Sequence, residues 1–173
     1  PLIELLNGIL YALVALKYGF TVYSILYCLT ISLLIVISFI DIKHKIIPDS
    51  LNITGAIIGI IFTIQDFSTL TDRLIGLGIG LSLFLAIALL TNAMGGGDIK
   101  LMAVLGFIFG IKGVLFITLF SFIIGAIISL ALIISKMKSR KDEIPFGPFI
   151  SLSALIYIFM GTELVTWYLN ILV

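Results

Sequence analysis

"TNAMGGGDIKLMAVLG", residues 91–106, joins two strongly apolar runs. Three consecutive glycines, Gly95, Gly96 and Gly97, are followed by an acid, Asp98, and a base, Lys100, before the chain turns apolar again. A flexible hinge accounts for the glycines but not for the acid. The stretch reads as a polar break between two apolar helices, with a carboxylate at the start of the second. What the acid does there depends on whether a second acid meets it in space.

The apolar character extends over the whole chain. Of 173 residues, 61% are hydrophobic and 11% are charged, and the mean hydropathy is +1.33. Soluble domains carry about 25% charged residues, so this chain has too little polar surface to cover a water-soluble globule. Lipid is the solvent that suits it. Helices are the default spanning form because each backbone N–H and C=O must be satisfied inside the bilayer. A membrane barrel calls for short alternating segments, which the long continuous apolar runs are not. The expectation is an all-α, polytopic membrane helix bundle.

A spanning helix takes roughly 20 apolar residues. Candidate runs lie at about 2–16, 20–40, 51–65, 73–93, 99–111, 113–135 and 149–172. The reading is seven spans in one domain over residues 1–173, with six as the alternative because runs 51–65 and 99–111 are short. Gly55, Gly59, Gly76, Gly78, Gly80, Gly106, Gly110, Gly113 and Gly125 lie in or near the runs, where small residues let membrane helices approach closely. Phe116, Phe120 and Phe122 read as ordinary packing.

The basic residues orient the bundle. The first, third and fifth loops hold Lys17, Arg73 and Lys112. The second, fourth and sixth hold Lys43, Lys45, Lys100, Lys136, Lys138, Arg140 and Lys141. The positive-inside rule therefore places the even loops and the N-terminus in the cytoplasm of a cell membrane. Asp41 ends the second run and Asp98 begins the fifth, so both fall on that cytoplasmic side. The 57 positions separating them suit one excursion out and back.

Composition also excludes. A net charge of +1, with no basic tail and no aromatic–basic interleaving, gives no reason to expect nucleic acid. Cys28 and His44 are the only residues of their kinds, too few for an imidazole or thiolate metal site or an internal disulfide. Pro1 leads straight into an apolar run without a basic flank, so no cleaved signal peptide is expected.

In "FIDIKHKIIPDSLN", residues 39–52, Asp41 follows a long apolar run with almost no polar transition. An ionisable residue at the edge of a span is costly and reads as functional. Taken alone it reads equally as a solvated helix end beside Lys43 and Lys45. Pro48 stops the helix, and Asp49 or Ser50 is expected to cap the next one. His44 reads as a polar loop residue. Asp98 alone reads equally as a helix cap, and Lys100 as a topology signal or a substrate contact.

The pair changes the weighing. Two carboxylates at one membrane depth can share a proton, because like charges a few ångström apart do not both ionise easily. One then activates a water and the other donates to a scissile carbonyl. No metal, organic cofactor or covalent acyl-enzyme is required. The glycines permit an extended peptide to lie close to Asp98.

These residues resemble a known family. "GGGDIKL" resembles the Gly-x-Gly-Asp signature of the membrane aspartic peptidases. "DIKHKIIPDSLN" resembles the first acidic motif of type IV prepilin peptidases, and "IPFGPFISLSALI", residues 144–156, resembles the segment that opens their last helix. The resemblance implies a leader peptidase that cuts prepilins or archaeal preflagellins (archaellins) at the cytoplasmic face, with Asp41 and Asp98 as the catalytic pair. It implies that Gly95, Gly96, Gly97, Lys100, Pro145, Gly147 and Pro148 line the substrate approach, and that the partners are pilin-like precursors and membrane lipids. Many bacterial members also carry a cytoplasmic domain with paired Cys-x-x-Cys motifs and methylate the product. No such motif is present here, so the expectation is peptidase without methyltransferase activity. The presenilin branch shares Gly-x-Gly-Asp, but its first acid follows Tyr, whereas Ile40 precedes Asp41.

"KMKSRKDEIPFGP", residues 136–148, is the longest polar stretch. Its bases suit topology and anionic lipid. Asp142 and Glu143 read either as solvated or as contacts for a basic leader. Pro145, Gly147 and Pro148 force a non-helical approach to the final run. Two other classes compete with the peptidase. A proton- or ion-coupled carrier uses paired intramembrane acids as a relay, but does not explain why both lie at one face. A structural assembly factor needs them only as caps.

Overall fold

The helix ends follow the chain's own punctuation. In the computed structural model, which describes residues 1–91, 94–137 and 142–172 (side chains 162 and 165–172 aside), α1 covers Leu2–Tyr18 and stops at Gly19, whose φ of 67° suits glycine. α2 covers Val22–His44. Thr21 opens it by accepting the Ser24 N–H at 3.2 Å. Lys45 closes it in the left-handed region, its N–H on the Asp41 carbonyl at 2.8 Å. Pro48 cannot extend α2 and precedes α3, Asp49–Gln65. The expected side-chain cap is corrected here. Pro48 holds the cap position, no side-chain cap hydrogen bond is present among the described residues, and Asp49 is itself helical, its charge near the positive end of the helix dipole. A 3-10 turn, Phe67–Thr69, leads into α4, Leu70–Thr91; α5 is Gly96–Ile134 and α6 is Gly147–Leu172.

α5 is not straight. Gly110 has φ 70° and ψ −167°, outside the helical region. A Cβ placed on Gly80 of α4 would meet both the Met102 carbonyl and, at 3.1 Å, the Val114 side chain. Twelve residues of straight helix would put those groups about 18 Å apart. The chain therefore reverses at Gly110, and α4 packs on both arms. The two runs expected at 99–111 and 113–135 are these arms. Gly76 lets the backbones close up: a Cβ there would stand 2.5 Å from the Gly106 carbonyl oxygen. The neighbouring residues of α4 secure the reversal. Arg73 donates to the carbonyls of Phe107 and Ile108, which end the first arm, and Asp72 fills the space a side chain at 110 would need.

Among the described residues the secondary structure is entirely helical. Leu34, Leu101, Leu105, Ile117 and Ile150 are fully buried between helices. Large apolar side chains also face outward: Leu16, Leu90 and Ile134 are 83%, 84% and 72% exposed. Apolar exposure on this scale belongs against lipid. By length and composition three helical stretches, Val22–His44, Phe67–Thr91 and Gly96–Ile134, can cross a membrane, and Asp49–Gln65 and Gly147–Gly161 are shorter apolar helices.

Side-chain registers give the directions. Asn7 and Tyr11 reach Ser32 while Tyr18 meets Tyr27, so α1 and α2 are antiparallel. Asp49 pairs with Lys100, Gly55 faces Val104 and Gly59 faces Phe107, so α3 and the first arm of α5 run the same way. The end of α2 and the starts of α3, α5 and α6 thus gather at one end of the bundle. Lys138, Arg140 and Lys141, counted in the charge reading, lie outside the described residues.

The glycines of α4 offer a check. Gly76→Ala pushes a methyl into the Gly106 backbone, while Gly78→Ala meets nothing within 4 Å. In detergent, Gly76→Ala is expected to lower unfolding stability by about 1–3 kcal/mol. Gly78→Ala is expected to be neutral or stabilising by up to about 1 kcal/mol.

Candidate active site

Asp41 lies on the last turn of α2 and is 5% exposed. That end of a helix is electrostatically poor for a carboxylate, and a buried charge needs donors. The donor comes from the other end of the sequence: the Gly147 N–H, at the start of α6, bonds Asp41 Oδ2 at 2.9 Å. Asp98 is the third residue of α5, where a helix N-terminus favours negative charge. Its Oδ2 accepts the Gly95 N–H at 3.2 Å, while Oδ1 is buried without a hydrogen-bond partner among the described residues.

Both carboxyl groups open into one cavity of about 380 Å³, walled also by Lys45, Met94, Gly95 and residues 143–146. Lys45 and Glu143 form an exposed ion pair of 3.2 Å at this cavity. A larger cavity, about 620 Å³, lies between α1 and α2 beside Tyr11, Phe20 and Cys28, and no carboxylate lines it.

The remaining sequence candidates separate. Gly95 supplies a wall and an N–H. Gly96 faces open space. Gly97 is pressed on Ile47: a Cβ there would be 2.8 Å from the Ile47 Cβ. Pro145 lines the cavity, Gly147 touches Asp41, and Pro148 is the second residue of α6, away from the wall. Lys100 is held by Asp49 at 2.7 Å, outside the cavity wall, which ties α3 to α5. His44 is exposed and also outside that wall.

Sequence reasoning did not single out Lys45, Met94, Ile144 or Phe146 as wall residues. Phe146 had a detectable signal, an aromatic between two prolines. It meets Phe122 at 5.2 Å and Phe84 at 6.2 Å between ring centroids. Phe122, read as ordinary packing, thus braces the cavity wall, while Phe116 and Phe120 stack on each other at 4.1 Å.

Residues 28–130 match the Type IV leader peptidase family. The chain belongs to that family. Over 98% of its length it is 36% identical to a prepilin leader peptidase/N-methyltransferase of Legionella pneumophila and 32% identical to one of Xanthomonas campestris, covering 62% of each. It is 28% identical to a protein of the same name from Bacillus subtilis, covering 69% of it. The chain thus spans less than two thirds of the first two relatives. No solved structure matches it.

The glycine run gives a second check. Gly97→Ala is expected to lower unfolding stability by about 1–3 kcal/mol as Ile47 is displaced. Gly96→Ala is expected to hold stability within about 0.5 kcal/mol or raise it. Denaturant unfolding of both variants in one detergent measures the difference.

Proposed function

We propose that this chain is a membrane aspartic endopeptidase that removes the short basic leader from type IV prepilin-like or preflagellin (archaellin) precursors at the cytoplasmic face of the cell membrane. One observation carries the reading: Asp41 and Asp98, remote in sequence and on different helices, open into one cavity, each held by a glycine N–H. Family membership and the names of the relatives support the substrate class. They do not favour the carrier alternative.

In this reading the ionised carboxylate takes a proton from water, and the water oxygen attacks the scissile carbonyl. The protonated carboxyl donates to the carbonyl oxygen as it becomes tetrahedral. Collapse breaks the C–N bond and the proton passes to the leaving amine. Asp98 Oδ1 is buried and has no hydrogen-bond partner among the described residues. Gly95 and Pro145 flank the extended peptide, and Lys45 and Glu143 stand at the wall. Residues 1–173 act as one peptidase unit. The bundle crosses the membrane seven times, a count supported by the reversal at Gly110, which makes two arms of α5. The loop charges put the acids inside.

The test is co-expression with a pilin-like precursor, read as a shift to mature size on a gel. Asp41→Asn and Asp98→Asn, each inserted normally, are expected to slow processing by at least about 100-fold. His44→Ala and Asp49→Asn are expected to retain it. Full-rate maturation by the Asp41→Asn/Asp98→Asn double variant refutes the reading. For purified enzyme, a carboxyl pair sharing one proton predicts a bell-shaped dependence of kcat on pH, whose two limbs belong to the pair rather than to either residue.

A further inference from the structure

The first turn of a helix carries backbone N–H groups with no partner inside the helix. In α6 each can be accounted for. Pro148 has none. The N–H groups of Phe149 and Ile150 both go to the Phe146 carbonyl, at 3.0 and 3.2 Å. The Gly147 N–H is the one directed out of the turn, and it reaches Asp41 Oδ2 in buried surroundings. The contact is also close. A Cβ at 147 would stand 2.7 Å from Asp41 Oδ2 and 3.2 Å from its Cγ, with the Ile47 Cδ1 at 3.3 Å. A side chain cannot be added there unless the carboxylate moves.

We propose that Gly147 is a positioning residue for the reaction: its backbone N–H fixes the orientation of the Asp41 carboxylate, and its missing side chain lets that carboxylate sit against the start of α6. This rests on the reading of Asp41 as catalytic and gives position 147 a task other than guiding substrate. The residues just before it wall the cavity, and Glu143 is paired to Lys45, four residues after Asp41. The segment against which a peptide would lie is therefore the one that orients the acid. A peptide seated there meets a carboxylate already aimed, which is where orientation lowers a barrier.

The inference is tested on the full chain in detergent with a synthetic precursor peptide. Gly147 is replaced by glycolic acid through nonsense suppression, turning the amide into an ester and removing the N–H without adding a side chain. Loss of a hydrogen bond to a charged group predicts a fall in kcat of roughly 10- to 100-fold. KM is expected to stay within about threefold, because the lost interaction serves the chemical step rather than binding. Gly147→Ala is expected to lose at least as much kcat, and Gly78→Ala, with open space around it, to match wild type. Where Gly147→Ala fails to insert, the ester variant decides. Wild-type kcat in the ester variant, or a loss confined to KM, overturns the inference. The parent reading fails separately: Asp41→Asn cleaving at the wild-type rate sinks both, whereas an inactive Asp41→Asn beside a fully active ester variant sinks only this one.

Discussion

A carboxylate at the end of an apolar helix, 5% exposed, is the constraint around which this end of the molecule is arranged. Burying such a group without donors costs several kcal/mol. Asp41 is tenable because the start of α6 comes back to it with an N–H. That single contact requires α6 to begin at the depth where α2 ends, and it requires glycine at 147. Ile47 lies between Gly147 and Gly97, touching the space a side chain would take on either, and so sets how far the starts of α5 and α6 stand apart. The cavity between the two acids is the room left by that spacing.

The opposite end of the bundle solves a different problem with the same residue types. Where α5 reverses at Gly110, carbonyl groups ending one arm need donors, and Arg73 supplies them. Gly76, Gly80 and Gly106 bring α4 and α5 backbone to backbone. In lipid no hydrophobic force drives helices together, so such close packing and the polar contacts at its end are what hold the arms. α4 on both arms gives the first arm a rigid support, and Asp98 rides at its start.

Much of this was legible in the residues. The apolar runs fell where helices form, because a chain in lipid must satisfy its backbone locally. Asp98 after three glycines and Asp41 at the end of a greasy run stood out by their cost. The resemblance to the leader peptidases, now matched by family membership, rested on motifs short enough to read by eye. The errors and omissions share one cause. Asp49 looked like a cap from its place after Pro48, but its carboxylate is drawn to Lys100, fifty-one positions away. The pairing of Lys100 with Asp49, outside the cavity wall, was hidden for the same reason. Phe122 does pack, but nothing local connects it to the wall residue Phe146.

The sequence by itself determined the solvent, the helical class, the helix boundaries to within a few residues and the two acids worth watching. These depend on composition, periodicity and punctuation, which act over one or two turns. The tertiary structure alone decided that α4 packs on both arms of α5, that the three glycines before Asp98 have three different surroundings, and that Asp41 is held by Gly147. Each of these is a contact between groups far apart along the chain, and such contacts exist only once the helices have chosen their neighbours.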